Sequence, residues 1–436
     1  MNFLIGLNQG IYWGLKGGRF KNRDHLNQWK KRQFHRQFEY LKQRVAFYDA
    51  YEDLEHFPLI NKQVVSDNFG RINTAGISLT KAIEVASKAE ADRDFSPMIG
   101  KYTVGLSTGT SGKRGLFVVS PYERGFWAGY ILRRMLPRGI LHAERVALFL
   151  RAGSNLYSSI SRGPVRFQYF DLKESLASLL ANLQKFKPTV LAAPPSMLAV
   201  IADQKDFLSI LPRRIISIAD VLDPMDQARL ETAFGQPIHQ IYQATEGLLG
   251  LTCDRGQLHL CEDLVHFEWE ELGQGRVTPI ITDLRRRSVP LVRYRLNDML
   301  RLSEEPCSCG CPFAVARQIE GRMDHLLVGR SQDGSDLIPV FPDDVRTMLG
   351  ALFDSHSIRS EYSVRQTTPT SLIIALENGI CDESLRTDMH KELSNLFTSR
   401  GCQLPDIGFG HLEGMDLTMK RQRVIRLFES QYNVQQ

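Results

Sequence analysis

A layered α/β chain with a smaller α+β tail is predicted by three features of the sequence. From about residue 100 to 245, short apolar runs alternate with amphipathic stretches, the pattern of parallel strands joined by helices. After about residue 265 the chain becomes strand-rich, and around Gly321-Arg322 it changes character again. Its 436 residues, 24% charged and 43% hydrophobic, suffice for two or three packed units with an ordinary globular balance rather than a disordered one.

Taken in order, "MNFLIGLNQGIYWGLKG" is apolar but interrupted by Asn8, Gln9 and Gly10. It lacks the basic start and cleavage site of a signal peptide and is too broken to span a bilayer, so a docked N-terminal segment is expected. Residues 26–48 read as one amphipathic helix. Phe34, Phe38, Leu41, Val45 and Tyr48 form its stripe, and Lys30, Lys31, Arg32, Arg36, Lys42 and Arg44 form a solvated basic face. "RVALFL" is then a strand, 172–186 a helix, "TVLAA" a strand, "SMLAVIADQ" a helix, "RIISIAD" a strand, "MDQARLETAF" a helix and "IHQIYQA" a strand. Ligands of such sheets sit beyond the carboxyl ends of the strands, which singles out the loops after "RIIS" and "IHQIY". "VTPIITDL" and "PLVRYRL" read as further strands. In the tail, "YSVRQ" and "SLIIALE" are strands and "SLRTDMHKELSNLFTS" is a helix. The expected organisation is a domain over 1–321, a hinge at 322–324 and a small domain over 325–436.

A net charge of +5 suits anionic small ligands and is too small to argue for nucleic acid. With no export signal, the seven cysteines are expected in a reducing cytoplasm, where clustered thiols suggest metal before disulfides.

The stretch "GLSTGTSGKRG" looks like a phosphate cradle. It is not a Walker loop, because Ser107 stands where the first Gly belongs and Arg114 follows Lys113. Nor is it a Rossmann fingerprint, since its glycines are wrongly spaced and no nucleotide strand is expected to lead in. What remains is a loop of small residues with hydroxyls, free N–H groups and one lysine, suited to the β- and γ-phosphates of ATP.

This loop resembles that of the adenylate-forming superfamily of acyl- and aryl-CoA ligases, luciferases and adenylation domains. Further matches follow in that superfamily's order: "IYQATEG", "VRYRLNDML", "IEGRMDHLL" and "MKRQRVIRL". The last is similar to the phenylacetate-CoA ligase branch, as are "FPLINKQVV", "GQLHLCEDLVHFE", "CSCG" and "LIPVFPDDV". Relatives of the synthetase that adenylylates a deazaflavin cofactor are similar too. The resemblance runs from about residue 45 to 425.

It implies activation of a carboxylic acid, aryl or acyl, as an adenylate with release of pyrophosphate, followed by transfer to a thiol of CoA or an acyl carrier protein. Ser107, Thr108, Gly109, Thr110, Ser111, Gly112 and Lys113 would hold the departing phosphates. Thr245 would bond the α-phosphate, and Glu246 would hold Mg²⁺, a hard ligand for a hard cation. Tyr242, Ala219 and Asp220 would frame adenine, and Asp298 would accept the ribose hydroxyls. Lys420 would be the mobile catalytic lysine, delivered through a hinge at Arg322 and Asp324, with Arg322 also counted toward ATP. Asn297 replaces the family's Gly before Asp298; both types tolerate left-handed backbone, so the turn is expected to survive. The acid pocket would be lined from 151–159 and 192–198, with Asn155, Tyr157 and Pro195 as candidates.

The resemblance also implies a structural zinc at Cys253, His259, Cys307 and Cys309, with reduced, unligated thiols as the alternative. A homodimer is compatible with this reading, and no transmembrane segment is expected. Two rivals stay open: adenylylation without a thioester, and a non-catalytic nucleotide-binding relative.

Overall fold

The computed structural model describes residues 1–16, 20–51, 56–94, 96–107, 114–151, 164–358, 360–377, 379, 382–413 and 416–430. Two compact units are formed. The first comprises Met1–Leu222, Asp226–Leu296 and Leu300–Gln318, the second Asp223–Met225, Asn297–Met299 and Ile319–Gln436.

The chain opens with helices α1 (Asn2–Lys16) and α2 (Arg23–Arg44), the short helices α3 (Lys62–Asp67) and α4 (Phe69–Ile72), and α5 (Leu79–Ala91). α1 is a helix where the sequence pattern announces only a docked segment. Its glycines recur every fourth residue, a pattern with low helix propensity but one helical face. That face meets α6 (Pro121–Met135), itself started by a Ser120–Glu123 capping box. The two backbones touch. A Cβ on Gly6 would lie 2.1 Å from the Tyr122 carbonyl oxygen, on Gly10 2.0 Å from that of Phe126, and on Gly129 2.2 Å from that of Leu7.

Gly10→Ala is therefore expected to destabilise the protein by about 1–3 kcal/mol, because the methyl meets backbone that has no room to move. The control is Gly70→Ala in α4, where a Cβ meets nothing within 4 Å and the better helix former should be neutral or gain up to about 1 kcal/mol. Urea midpoints moving in the same direction for both would contradict this packing.

Helix α2 also departs from expectation. It starts at Arg23, where the Asn22 side chain caps the His25 N–H at 2.9 Å, and it ends at Arg44, so Val45 and Tyr48 are buried beyond it. Its buried face is Leu26, Trp29, Lys30, Gln33, Gln37 and Leu41, with Phe34 and Phe38 only half-buried. Lys30 thus leaves the solvated face: its Nζ donates to Glu262 Oε1 at 3.2 Å, and Arg23 pairs with the same carboxylate. Gln37 donates to the Arg286 carbonyl at 3.1 Å. Lys30 and Gln37 replace apolar residues in the stripe because each finds a buried partner.

Strands β1 (Met98–Ile99), β2 (Tyr102–Leu106) and β3 (Leu116–Val119) make a small antiparallel sheet. The main sheet has twelve strands. Its first five are β4 (Glu144–Leu150), β5 (Val165–Asp171), β6 (Val190–Ala193), β7 (Arg214–Ser217) and β8 (Ile238–Ala244). They pair in parallel in the order β5-β4-β6-β7-β8, as the strand–helix alternation predicts. Helices Leu176–Phe186, Pro195–Asp203 and Pro224–Phe234 connect them. The first begins at Leu176 rather than 172 because Ser175 caps the Ser178 N–H. β7 stops at Ser217, short of "IAD", because Ala219 turns the chain with φ 68°.

The sheet continues through β9 (Gly247–Thr252), β10 (Leu258–Leu260), β11 (Val265–Gly273), β12 (Arg276–Asp283), β13 (Tyr294–Arg295), β14 (Asp298–Leu302) and β15 (Val315–Arg322). These extend it in the order β8-β9-β10-β15-β14-β12-β11, with β13 beside β12. "PLVRYRL" supplies only the two residues of β13.

The second unit is α+β. Strands β16 (Leu327–Arg330) and β17 (Leu337–Val340) form a hairpin. Strands β18 (Tyr362–Thr368), β19 (Ser371–Leu376), β20 (Asp406–His411) and β21 (Val424–Arg426) form a mixed sheet ordered β20-β19-β18-β21. Helices Pro342–Ser355 and Glu383–Ser399 bury Val345, Leu349, Met389, Leu393 and Phe397 in the same core as Val364, Leu372 and Ile374. Among the described residues no helix is long and apolar enough to cross a membrane.

Candidate functional site

The first unit brings together the two ends of the glycine-rich loop and the Thr-Glu turn. Residues Thr108, Gly109, Thr110, Ser111, Gly112 and Lys113 lie outside the described residues; their neck is described. Ser107 N–H donates to the Gly115 carbonyl at 2.7 Å, and Gly115 N–H donates to Ser107 Oγ at 2.7 Å. Arg114 Nε donates to the Ser107 carbonyl at 2.6 Å while its guanidinium grips Glu90 of α5. A strand does lead into the loop, contrary to the sequence reading. It is β2, and it leaves through antiparallel β3 rather than a helix, so the Rossmann reading fails on topology as well as on glycine spacing. Arg114 serves as a clasp of the neck.

A Cβ on Gly115 would stand 3.4 Å from Thr245 Oγ1 and 3.5 Å from Ser107 Oγ. The neck therefore faces the turn between β8 and β9. There Thr245 Oγ1 donates to Glu246 Oε2 at 2.8 Å, and Tyr294 OH donates to Glu246 Oε1 at 3.0 Å. Arg286 Nη1 donates to both carbonyls of the turn, Thr245 O at 3.1 Å and Glu246 O at 2.9 Å. Tyr242 is buried on β8, three residues before Thr245. Sequence reasoning had not assigned roles to Tyr294 or Arg286. Tyr294 was visible only as part of "VRYRLNDML", and the sign of Arg286 was a triple arginine run directly after an apolar strand.

After β7, Ala219 adopts left-handed backbone, a strained choice for a non-glycine residue. Asp220 does not offer a free carboxylate to a ligand. Arg151 binds it through both oxygens, at 3.2 and 2.8 Å, with both side chains largely buried. Pro195 is buried as the first residue of its helix. Asn155 and Tyr157 lie outside the described residues.

In the second unit, Asn297 is not left-handed; the positive φ nearby belongs to Arg293, at 48°. Asn297 works through its side chain instead. Its side-chain amide donates to the Asp324 carboxylate, and its backbone carbonyl accepts from Met323 N–H at 2.9 Å. This holds the 3₁₀ turn Met323–His325 that follows extended Arg322. His325 is pushed down to about 4 by burial and by the charges of Arg322, Arg346, Arg426 and Lys420. Half-buried Lys420 therefore belongs to a cationic corner around a neutral imidazole. Asp298 opens β14, half-buried.

A third assembly, again in the first unit, is the cysteine–histidine cluster. The β9–β10 hairpin presents Cys253 and His259, and the turn after β14 presents Cys307 and Cys309. One ligand atom from each lies within 4.8 Å of the others. Cys253 Sγ is 3.8 Å from Cys307 Sγ, and Cys309 Sγ is 3.3 Å from His259 Nε2. His259 Nδ1 sits 3.2 Å from the Phe313 carbonyl, which leaves Nε2 as the ligand nitrogen. Backbone N–H groups of Arg255, Cys309 and Cys311 point at the three sulfurs at 3.4–3.5 Å. Cys261 and Cys311 are outside the set, and among the described residues every cysteine is free of disulfides.

No protein-family model matches the chain. In sequence it is 26% identical over 189 residues to phenylacetate-coenzyme A ligase of Thermus thermophilus, covering 39% of this chain and 41% of that protein. It is 26% identical over 165 residues to Protein CapK of Staphylococcus aureus, covering 36% and 37%. The chain thus matches about two fifths of the length of these curated relatives. Among solved structures, 2-hydroxyisobutyryl-CoA ligase in the postadenylation state with 2-HIB-AMP aligns at TM-score 0.65 and 16% identity, over 91% of this chain and 89% of that one. The anthranilate CoA ligase AuaEII with anthranoyl-AMP aligns at TM-score 0.50 and 15% identity, over 73% and 66%. The structural likenesses establish the fold.

Proposed function

We propose that this chain, which has the fold of the adenylate-forming ligases and relatives of the phenylacetate-CoA ligase kind, activates a carboxylic acid with ATP and passes the acyl group to a thiol. One observation carries the reading: Thr245 Oγ1 and the Glu246 carboxylate, the latter held by Tyr294, face the closed neck of the glycine-rich loop.

A carboxylate cannot expel oxide, so its oxygen attacks the α-phosphorus of ATP, a P–O bond forms and pyrophosphate leaves. The acyl adenylate then has AMP as leaving group, and a thiolate displaces it to give the thioester. The protein's task is positioning and neutralising charge. Thr245 is placed to donate to an α-phosphate oxygen, and the loop from Ser107 to Lys113 to hold the departing phosphates. Glu246 fits Mg²⁺, since a single oriented carboxylate beside phosphate oxygens is how that ion is usually held. When bound, Mg²⁺ would neutralise phosphate charge. Lys420 supplies the ammonium for the attacking oxygen, and the turn Arg322–His325 is the hinge of this reading. The tightly paired Asp220 frames adenine only through its backbone neighbours, Ala219 foremost.

Three cysteine sulfurs and one imidazole nitrogen within 4.8 Å suit a tetrahedral structural zinc, which would hold the cysteines as thiolates. With no open position it would tie the β9–β10 hairpin to the turn after β14 and take no part in chemistry.

The test is ATP–pyrophosphate exchange over a panel of aryl and acyl acids, followed by addition of CoA. Exchange that requires a carboxylate, then a CoA thioester, is the expected result. Carboxylate-dependent exchange without a thioester would redirect the acceptor to a carrier protein or another nucleophile. No exchange with any acid would overturn the reading.

A further inference from the structure

The loop after β12, Asp283 to Ser288, carries three successive arginines on a main chain pinned by two buried carboxylates. Asp283 Oδ1 accepts the N–H groups of Arg285 at 2.7 Å and Arg286 at 2.8 Å. Glu123 Oε1 accepts those of Arg287 at 2.5 Å and Ser288 at 2.9 Å, and its other oxygen takes the Ser288 hydroxyl. With the backbone so held, the guanidinium groups diverge. Arg285 stacks 4.3 Å from the Trp13 ring of α1, and Arg287 stacks 3.8 Å from Tyr40 of α2.

Arg286 turns inward and is 2% exposed. Its Nη1 bridges the Thr245 and Glu246 carbonyls, its Cζ lies 5.9 Å from the Trp127 ring, and its Nε is buried without a hydrogen-bond partner. Burying a cation with one donor unsatisfied is costly, and a structural crosslink alone could be made by a neutral side chain. Asp283 supplies the compensating carboxylate beside it, and burial raises that acid's own pKa.

We propose that Arg286 is a positioning residue for the metal–nucleotide contact. By capping both carbonyls of the turn it restricts the peptide planes on which Thr245 Oγ1 and the Glu246 carboxylate are mounted. Those side chains stay aimed at the neck of the loop instead of sampling other turn conformations. The inference rests on the ATP-binding reading above, and it adds that the Mg²⁺ dependence of this protein is set from behind the turn.

Arg286→Gln and Arg286→Lys in the full chain test it. Thermal melts establish folding, calorimetry reads MgATP affinity, and ATP–pyrophosphate exchange reads the Mg²⁺ and acid dependences. The expected result for Arg286→Gln is a loss of MgATP affinity and a rise in half-saturating Mg²⁺ of about 10-fold or more, with KM for the acid nearly unchanged and Arg286→Lys intermediate. Should Arg286→Gln fail to fold, Arg286→Lys, which keeps charge and a donor, is judged by the same readouts. A folded variant with wild-type Mg²⁺ and ATP dependence overturns the proposal, as does one that loses kcat or acid affinity alone. Wild-type protein that binds MgATP but exchanges with no acid would sink the ligase reading, and calorimetry on the variants would still decide this one. Wild-type protein that binds no MgATP would sink both.

Discussion

Lys420→Ala is expected to slow adenylate formation by about 100- to 1,000-fold while leaving MgATP binding within a few-fold. Negative charge accumulates on the oxygens between the acid and the α-phosphorus as the new bond forms, and an ammonium placed there acts on the transition state more than on the bound ground state. The loss should therefore fall on kcat for pyrophosphate exchange rather than on KM for ATP. Within the second unit Lys420 lies among the cationic groups that surround His325. Its neighbour His325 is kept neutral by burial and by the cations around it, Arg322 first among them. Exchange at the wild-type rate by the variant would remove Lys420 from the chemistry.

The second large effect is expected from the cysteine–histidine cluster. The purified protein should carry about one equivalent of zinc, and Cys307→Ser or prolonged chelation should lower Tm by at least about 5 °C. Without a cation, the three sulfurs within 4.8 Å of one another could not all be thiolates, and the sequence-distant strands they join would lose their bond. His259→Ala should do the same, because the ring is oriented for the site by the Phe313 carbonyl. Elemental analysis that finds no metal, with a melting point unmoved by chelator, would leave four reduced thiol and imidazole groups and no site.

Much of this was legible in the sequence for reasons that differ by element. The strands β4, β6 and β8 and the helices between them could be read because each buries a continuous run or one periodic face. The four cluster residues were named from spacing and resemblance, and the β9–β10 hairpin accounts for it by bringing two of them to one end. Helix α1 was illegible because glycine lowers helix propensity in any local reading, and only its partner α6 turns the same glycines into an advantage. Lys30 and Gln37 of α2 misled for a related reason. Their burial depends on Glu262 and on the Arg286 carbonyl, more than 200 residues away in sequence. Asn297 was read as a backbone substitute for glycine, whereas its side-chain amide does the work, through the Asp324 carboxylate 27 residues further on. Arg286 was hidden by the general rule that arginine runs are solvated.

The second unit is assembled from three stretches of chain. Met225 packs its sulfur against Gly350, where a Cβ would come within 2.0 Å, and Asp223 pairs with Arg423. A gene fragment beginning at Ile319 would omit both partners, together with the Asn297 that steadies Asp324. On the ribosome, Asp223 emerges some 200 residues ahead of Arg423 and must wait for it. Splitting the gene at the apparent border would thus yield a carboxyl half short of its own parts, whereas supplying the missing pieces in trans, as a separately expressed amino-terminal half, offers the better prospect of restoring it.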